Sequence, residues 1–235
     1  MVTVSVVVPA RNEEEFIGPC LESILAQKTK PHEIIVVNNG SKDRTAEIAR
    51  SYPGVKVIDQ PVPGLHIARQ TGLLAATGEV VANTDADCIV QPAWIATIAR
   101  AFRDPEVVEV YGTLEFYDAP WLDRMFSRYG YPLLIALTDK LGQPNTAGGN
   151  HAVRRSVAIE VGGYDVPYGE DLHLMLKLRE RGKIVYLPTA RVLTSGRRLK
   201  AGRWKFFGTH LSNIVRRLLG LPEDYGKDYY ADRER

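Results

Sequence analysis

The chain has 235 residues, 45% hydrophobic and 25% charged, enough to bury a full core as one large domain or a domain with an appendage, and its net charge of +2 selects no partner by itself. Two cysteines, Cys20 and Cys88, exclude a disulfide scaffold and point to reduced thiols in a cytoplasmic setting. The N-terminus enters a strand pattern without a basic region and apolar signal stretch, and no apolar run nears the ~18 to 20 residues that span a bilayer, so neither export nor a transmembrane anchor is expected.

Residues 4–8 form a continuous apolar run closed by Pro9, and Asn12 offers an N-cap to a helix over about 13–27, with Cys20 on its apolar side. Then follow a strand over 33–37, a helix over 43–51, a strand over 55–59, a helix over 64–76 and a strand over 80–84. This βαβα order predicts a mostly parallel sheet with right-handed crossovers. The second half reads as a helix over 92–102, a strand over 107–116 and an amphipathic helix over 121–141 interrupted near Pro132. Gly148-Gly149 and Gly162-Gly163 flank a short helix over 155–161; a helix over 170–181, short strands over 184–187 and 191–194 and a helix over 203–219 complete the pattern.

Asp85-Ala86-Asp87 directly follows the apolar run 79–84, so two carboxylates at i and i+2 sit where a buried strand opens into a loop. Hard oxygen ligands there suit Mg²⁺ or Mn²⁺ and leave positions for phosphate oxygens, at the end of the sheet where ligands bind in open α/β folds. The tripeptide alone fits a solvated turn equally well. Between Arg181 and Gly220 stand ten Lys or Arg residues and no Asp or Glu, a field that attracts phosphates on a nucleotide, a lipid headgroup or a nucleic acid. No recognition motif accompanies it, so nucleic acid is set aside.

The ordered series resembles family 2 glycosyltransferases over roughly residues 3–196. Its members are Val6-Val7-Val8-Pro9-Ala10-Arg11-Asn12-Glu13, then Ile35-Val36-Val37-Asn38-Asn39-Gly40-Ser41-Lys42-Asp43, then Gly64 with Ala68-Arg69 and Gly72, then Asp85-Ala86-Asp87. Gly148-Gly149-Asn150, Gly162-Gly163-Tyr164-Asp165 and Gly169-Glu170-Asp171 continue it. The resemblance implies an α/β GT-A fold, Rossmann-like, with a mixed, mostly parallel sheet flanked by helices. A single domain would span residues 1–220, with a donor half over about 1–90, an acceptor half over about 91–200, the basic helix over 203–219, and a polar tail over 221–235. The implied activity is sugar transfer from a nucleotide-diphosphate sugar to an acceptor hydroxyl, normally inverting and assisted by Mg²⁺ or Mn²⁺.

On that reading Asp87 ligates the metal, and Asp85 holds the ribose hydroxyls or the metal through water. Departure of the diphosphate needs charge neutralisation and no proton donor, whereas the acceptor hydroxyl needs one general base, for which Asp171 is placed. Glu170-Asp171 opens a helix whose Leu172, Met175 and Leu176 are expected in the core; the bland alternative is a pair of first-turn residues answering the macrodipole. Pro9, Ala10 and Glu13 surround the nucleoside, with Asn39 and Asp43 beyond the second strand. Many relatives carry an acidic pair where this chain has Asn38-Asn39, and an amide does not impose a uracil-type pattern; Asn39-Gly40 also reads as a turn with positive φ. Arg69 falls against the nucleotide or on the surface, and Gly149, Asn150 and Glu170 on the acceptor side.

Several metal-dependent relatives supply a His after the strand ending near Thr194, where this chain has Ser195-Gly196-Arg197-Arg198. That basic pair would contact the diphosphate directly and weaken dependence on metal. His66, His151, His173 and His210 read as packed or surface residues. In the helix over 203–219, Trp204, Phe207, Leu211, Ile214 and Leu218 form an apolar face beside Arg203, Lys205, Arg216 and Arg217. It either lies on the inner face of the membrane beside a lipid-linked acceptor or packs on its own domain or a homodimer mate, and the helix over 121–141 poses the same choice. A nucleotidyltransferase would need a Gly- and Arg-rich loop after the first strand, which Pro9 to Glu13 lacks; intact Asp87 and Asp171 argue against a non-catalytic sugar-nucleotide-binding module. A retaining mechanism stays open, and donor sugar, nucleobase and acceptor depend on cleft shape.

Overall fold

Strand β1 (Val4–Ala10) is buried along its whole length, as a continuous apolar run requires of a strand covered on both faces. In the computed structural model, described for residues 2–144, 146, 148–197, 199, 208, 212, 213, 215, 216, 219 and 221, it lies inside an eight-stranded mixed sheet. After β1 come α1 (Ile17–Leu25), β2 (Glu33–Asn38), α2 (Thr45–Arg50), β3 (Val55–Asp59), α3 (Leu65–Ala75) and β4 (Val80–Asn83). The chain continues through β5 (Cys88–Val90), α4 (Trp94–Ala101), β6 (Val107–Phe116), α5 (Trp121–Met125), a π-helical turn (Phe126–Gly130) and α6 (Tyr131–Lys140). Last come β7 (His151–Arg154), α7 (Arg155–Glu160), α8 (Glu170–Leu178) and β8 (Lys183–Thr194).

The strand order is β3-β2-β1-β4-β7-β6-β8-β5. Pairing is parallel from β3 through β4, and antiparallel between β4 and β7, β6 and β7, and β5 and β8. Side chains alternate across the sheet and build a core on each face. Val6 and Val8 join Ile17, Leu21 and Ile24 of α1 and Trp94, Ile95 and Ile98 of α4, whereas Val7 joins Ala68 and Leu73 of α3 and Leu174 and Leu178 of α8.

The chain forms two compact units, Met1–Glu115 with Thr146–Thr194, and Phe116–Asn145 with Ser195–Arg235. The first carries the sheet. In the second, Ser127 Oγ accepts from the Phe116 N–H at 3.1 Å, and Asp118 accepts from the Ser195 hydroxyl at 2.7 Å and from the Gly196 N–H.

Several elements depart from the sequence reading. Asn12 does not cap α1: its φ is 54°, its Oδ1 accepts from the Lys42 N–H at 2.9 Å, and Phe16 and Ile17 both donate to the Glu13 carbonyl before the helix begins. The two short strands expected near the end are one, β8, which runs through Pro188 at an exposed position. Strands β5 and β7 had no expected counterpart. The break in the helix over 121–141 is the π-helical turn, and Pro132 is accommodated in the first turn of α6, where its missing N–H costs least. Most of the helix expected over 203–219, most of the polar tail, Arg198 and His210 lie outside the described residues.

Candidate active site

The carboxyl ends of the parallel strands β1, β2 and β4 lie at one end of the sheet, and the loops after β1 and β2 are stitched together by backbone N–H donors. The Asn39 N–H donates to the Ala10 carbonyl at 2.8 Å, the Asn12 N–H to Ser41 Oγ at 3.1 Å, and the Glu13 N–H to Thr45 Oγ1 at 2.7 Å. Asp43 Oδ1 accepts from the Thr45 N–H at 3.0 Å and its hydroxyl at 2.5 Å, while Oδ2 accepts from the Glu14 N–H at 3.1 Å. Partial burial pushes this carboxyl up, but the bonds from Thr45 and Glu14 together outweigh it and hold Asp43 below the ordinary value.

Asn39, placed by resemblance beside the nucleotide, is buried and turned to its own loop. Its Nδ2 donates to the carbonyls of Gln60 and Val62 at 3.3 and 2.7 Å, and its Oδ1 accepts from the Gly64 N–H at 2.8 Å. Asn38 likewise donates to Asp59 Oδ1 at 2.8 Å and accepts from the Ser41 N–H at 3.3 Å. Gly40 has the positive φ, +68°, that the Asn-Gly reading requires. Pro9 and Ala10 are buried at the end of β1, and Glu13 is half-buried.

Asp85 follows β4 in a turn closed by the Cys88 N–H, which donates to the Asp85 carbonyl at 3.1 Å, and the Cys20 thiol reaches the same carbonyl at 3.6 Å. Arg69, on α3 and only 2% exposed, donates from Nη2 to Asp85 Oδ1 at 2.9 Å and from Nη1 to Glu170 Oε1. Burial disfavours the charge on this guanidinium and pulls its pKa down; Glu170, Asp85 and Asp171 outweigh that and raise it. Gly148 packs against the Arg69 guanidinium, which a Cβ there would displace from its two carboxylates, and a Cβ on Gly149 would meet Asp85 Oδ2 at 3.1 Å.

Gly169, at φ +63°, turns the chain into α8, so that Glu170 is buried in the first turn and Asp171 half-buried beside it. The core face of α8 is Leu172, Leu174, Met175 and Leu178; Leu176, expected inside, is exposed. Asp87 is buried, with the Cys88 thiol 3.8 Å from its Oδ1. Burial first, and then Asp87, push the Cys88 thiol well up, and the Cys20 thiol follows for the same reasons.

Asn150, expected to face the acceptor, is spent on the fold: Nδ2 donates to the Thr113 and Ala190 carbonyls at 2.8 and 2.7 Å, and Oδ1 accepts from Trp94 Nε1 at 2.9 Å. Arg197 belongs to the second unit, where its N–H reaches Ser195 Oγ at 3.3 Å.

The sequence reading missed a buried polar chain. Asn83 Nδ2 donates to Tyr164 Oη at 2.9 Å, which lies 3.1 Å from His151 Nε2; His151 Nδ1 and Thr146 Oγ1 each lie 3.0 Å from Glu109 Oε1. The antiparallel register places His151 opposite both Asn83 and Tyr111. A carboxylate inside the apolar run Val107-Val108-Glu109-Val110 was the available signal, since a buried acid needs a partner.

Among the described residues no group of three His, Cys, Asp or Glu side chains forms a closed metal site. Asp85 and Asp87 supply oxygen donors only, with the backbone at Gly149 close against Asp85. That set fits a hard divalent cation completed by phosphate oxygens and water, and does not fit structural zinc.

The family model described as Glycosyl transferase family 2 matches residues 5–162. Glycosyltransferase AglE of Haloferax volcanii is 30% identical over 190 residues, covering 76% of this chain and 62% of that protein. The glucosyl-dolichyl phosphate glucuronosyltransferase of the same organism is 29% identical over 181 residues, covering 71% and 57%. Among solved structures, the mannosyltransferase PcManGT from Pyrobaculum calidifontis, in complex with GDP-Man and Mn²⁺, superposes with a TM-score of 0.71 at 24% identity, covering 94% of this chain and 65% of that one. The chain thus spans less than two thirds of the length of these relatives.

Proposed function

The chain belongs to glycosyl transferase family 2 and has its GT-A fold, and from that premise we propose that it moves a sugar from a nucleotide-diphosphate donor to an acceptor hydroxyl with inversion. The observation that carries this reading is the Arg69 bridge: one guanidinium holds Asp85, of the Asp-x-Asp pair, and Glu170, the neighbour of Asp171.

When bound, Mg²⁺ or Mn²⁺ would neutralise the diphosphate as a Lewis acid. Asp87 would hold it directly, and Asp85, whose Oδ1 accepts from Arg69, would hold either the ribose hydroxyls or the metal through water. Asp171 takes the proton of the acceptor hydroxyl as that oxygen bonds to the anomeric carbon. The bond from that carbon to the diphosphate oxygen breaks with its electron pair leaving on the diphosphate, and attack from the opposite side inverts the centre. Asp171 suits this task because it is a half-buried carboxylate in the first turn of α8, beside the anchored Glu170. Glu170 is a positioning residue, held by Arg69.

The acceptor class is a lipid-linked sugar, supported by the relative named as a glucosyl-dolichyl phosphate glucuronosyltransferase. A purine donor is compatible, because Asn38 and Asn39 present no carboxylate to uracil and a structural neighbour binds GDP-Man. A thermal-shift screen of GDP- and UDP-sugars with Mn²⁺ or Mg²⁺, followed by NMR of the product's anomeric centre, tests the reading. A donor should raise the melting temperature by linkage and yield the inverted linkage; no shift with any nucleotide-sugar, or retention, contradicts it.

A further inference from the structure

The rod made by α5, the π-helical turn and α6 is inverted for a helix in water. Trp121, Met125, Tyr129, Leu133, Leu137 and Leu141 recur at intervals of four and are between 48% and 72% exposed, while its buried positions include Asp123, Ser127 and Thr138. Most large apolar groups face out and, apart from the fully buried Ile135, polar groups face in, opposite to an ordinary surface helix.

The π-helical turn has a geometric purpose here. In an α-helix each step of four residues overshoots a full turn by ~40°, so a stripe at that spacing winds off one face within a few turns. The wider i→i+5 turn at Phe126–Gly130 takes part of that drift back and holds Trp121 and Leu137 nearer one face. The residues that lie out of water's preference are thereby gathered into one strip about 30 Å long.

Charge selects the partner. The exposed charged residues of the rod are Arg124, Arg128 and Lys140, whereas its acids are buried (Asp123) or half-buried (Asp139). A second copy would set cations against cations; an anionic lipid surface complements both the strip and the charge, with Trp121 and Tyr129 suited to headgroup depth. No described helix is long and apolar enough to cross a membrane, so contact would be along the surface. We propose that the outer face of this rod is a docking surface for an anionic phospholipid bilayer.

Sedimentation of the full chain with phosphatidylserine-containing and pure phosphatidylcholine vesicles tests it. Binding to the anionic vesicles is expected, weakened by salt. Leu133→Gln/Leu137→Gln should bind on the order of tenfold more weakly or worse, and Arg124→Gln/Arg128→Gln should lose much of the salt dependence, both with the nucleotide-induced melting shift intact. Failure to bind anionic vesicles, or equal binding by the leucine variant, overturns the proposal. So does a dimer in light scattering that the leucine variant dissolves without any vesicle binding, which would assign the face to a second copy.

Discussion

Replacing Arg69 by Met removes the charge that Asp85 and Glu170 share while keeping an apolar stem of similar reach. The Glu170 side chain is 3% exposed and the Asp85 side chain 21%, so the first is left as a buried anion beside a second carboxylate. Removing one partner of a buried pair costs ~3–5 kcal/mol. For a chain of this size each kcal/mol shifts the melting temperature by roughly 2–4 °C, so calorimetry should record a drop of about 6–20 °C by the same scaling. Arg69→Met/Glu170→Met should recover most of it, because the buried charge of Glu170 is removed with its partner and only the more exposed Asp85 loses the guanidinium. A single variant within ~1 kcal/mol of wild type, or a double variant no more stable than the single one, would refute the bridge as the element that joins Asp85 to Glu170. Nucleotide-sugar turnover in the recovered double variant should stay low, since Glu170 no longer anchors the turn beside Asp171.

Glu109 gives a pH signature. Burial pushes its carboxyl above the ordinary 4.5 against the opposing pull of His151, so the native chain holds that proton more tightly than the unfolded one. Its contribution is fully present below 4.5 and is lost as pH rises through the native value; melting temperatures across that window should shift in favour of Glu109→Gln relative to wild type as pH increases. Asp43→Ala deletes the carboxylate that accepts from Thr45 and Glu14 and should cost ~1–2 kcal/mol in urea unfolding; an unchanged midpoint would mean water replaces those bonds. Cys20 and Cys88 are buried with thiols pushed up, so aromatic disulfide reagents should label neither until the chain unfolds; fast labelling of the native protein would contradict their burial.

Strands β1 and β2 were legible because a strand covered on both faces must be continuously apolar, as Val4 to Val8 and Ile34 to Val37 are, whereas the edge strand β3 shows instead the alternation of a half-exposed strand. Strand β5 has three residues and β7 four, too short to show a period, and Pro188 reads as a boundary although β8 passes through it. Asp85 and Asp87 stood out because they end an apolar run. The Arg69 bridge did not, since its members lie 101 residues apart and opposite charges in contact leave no local pattern. Asn39 and Asn150 show the converse: both occur in motif positions, yet Asn39 is consumed by backbone groups and Asn150 by backbone carbonyls and the Trp94 indole, which only the three-dimensional hydrogen-bond partners reveal.

The identity of the base is tested most directly by Asp171→Asn, which keeps the shape of the first turn of α8 and removes the proton acceptor. Transfer from the cognate nucleotide-sugar, followed by release of nucleoside diphosphate, should fall by roughly 10²–10⁴-fold, while the melting shift induced by nucleotide and metal is unchanged. Turnover within a few fold of wild type would contradict Asp171 as the group that deprotonates the acceptor.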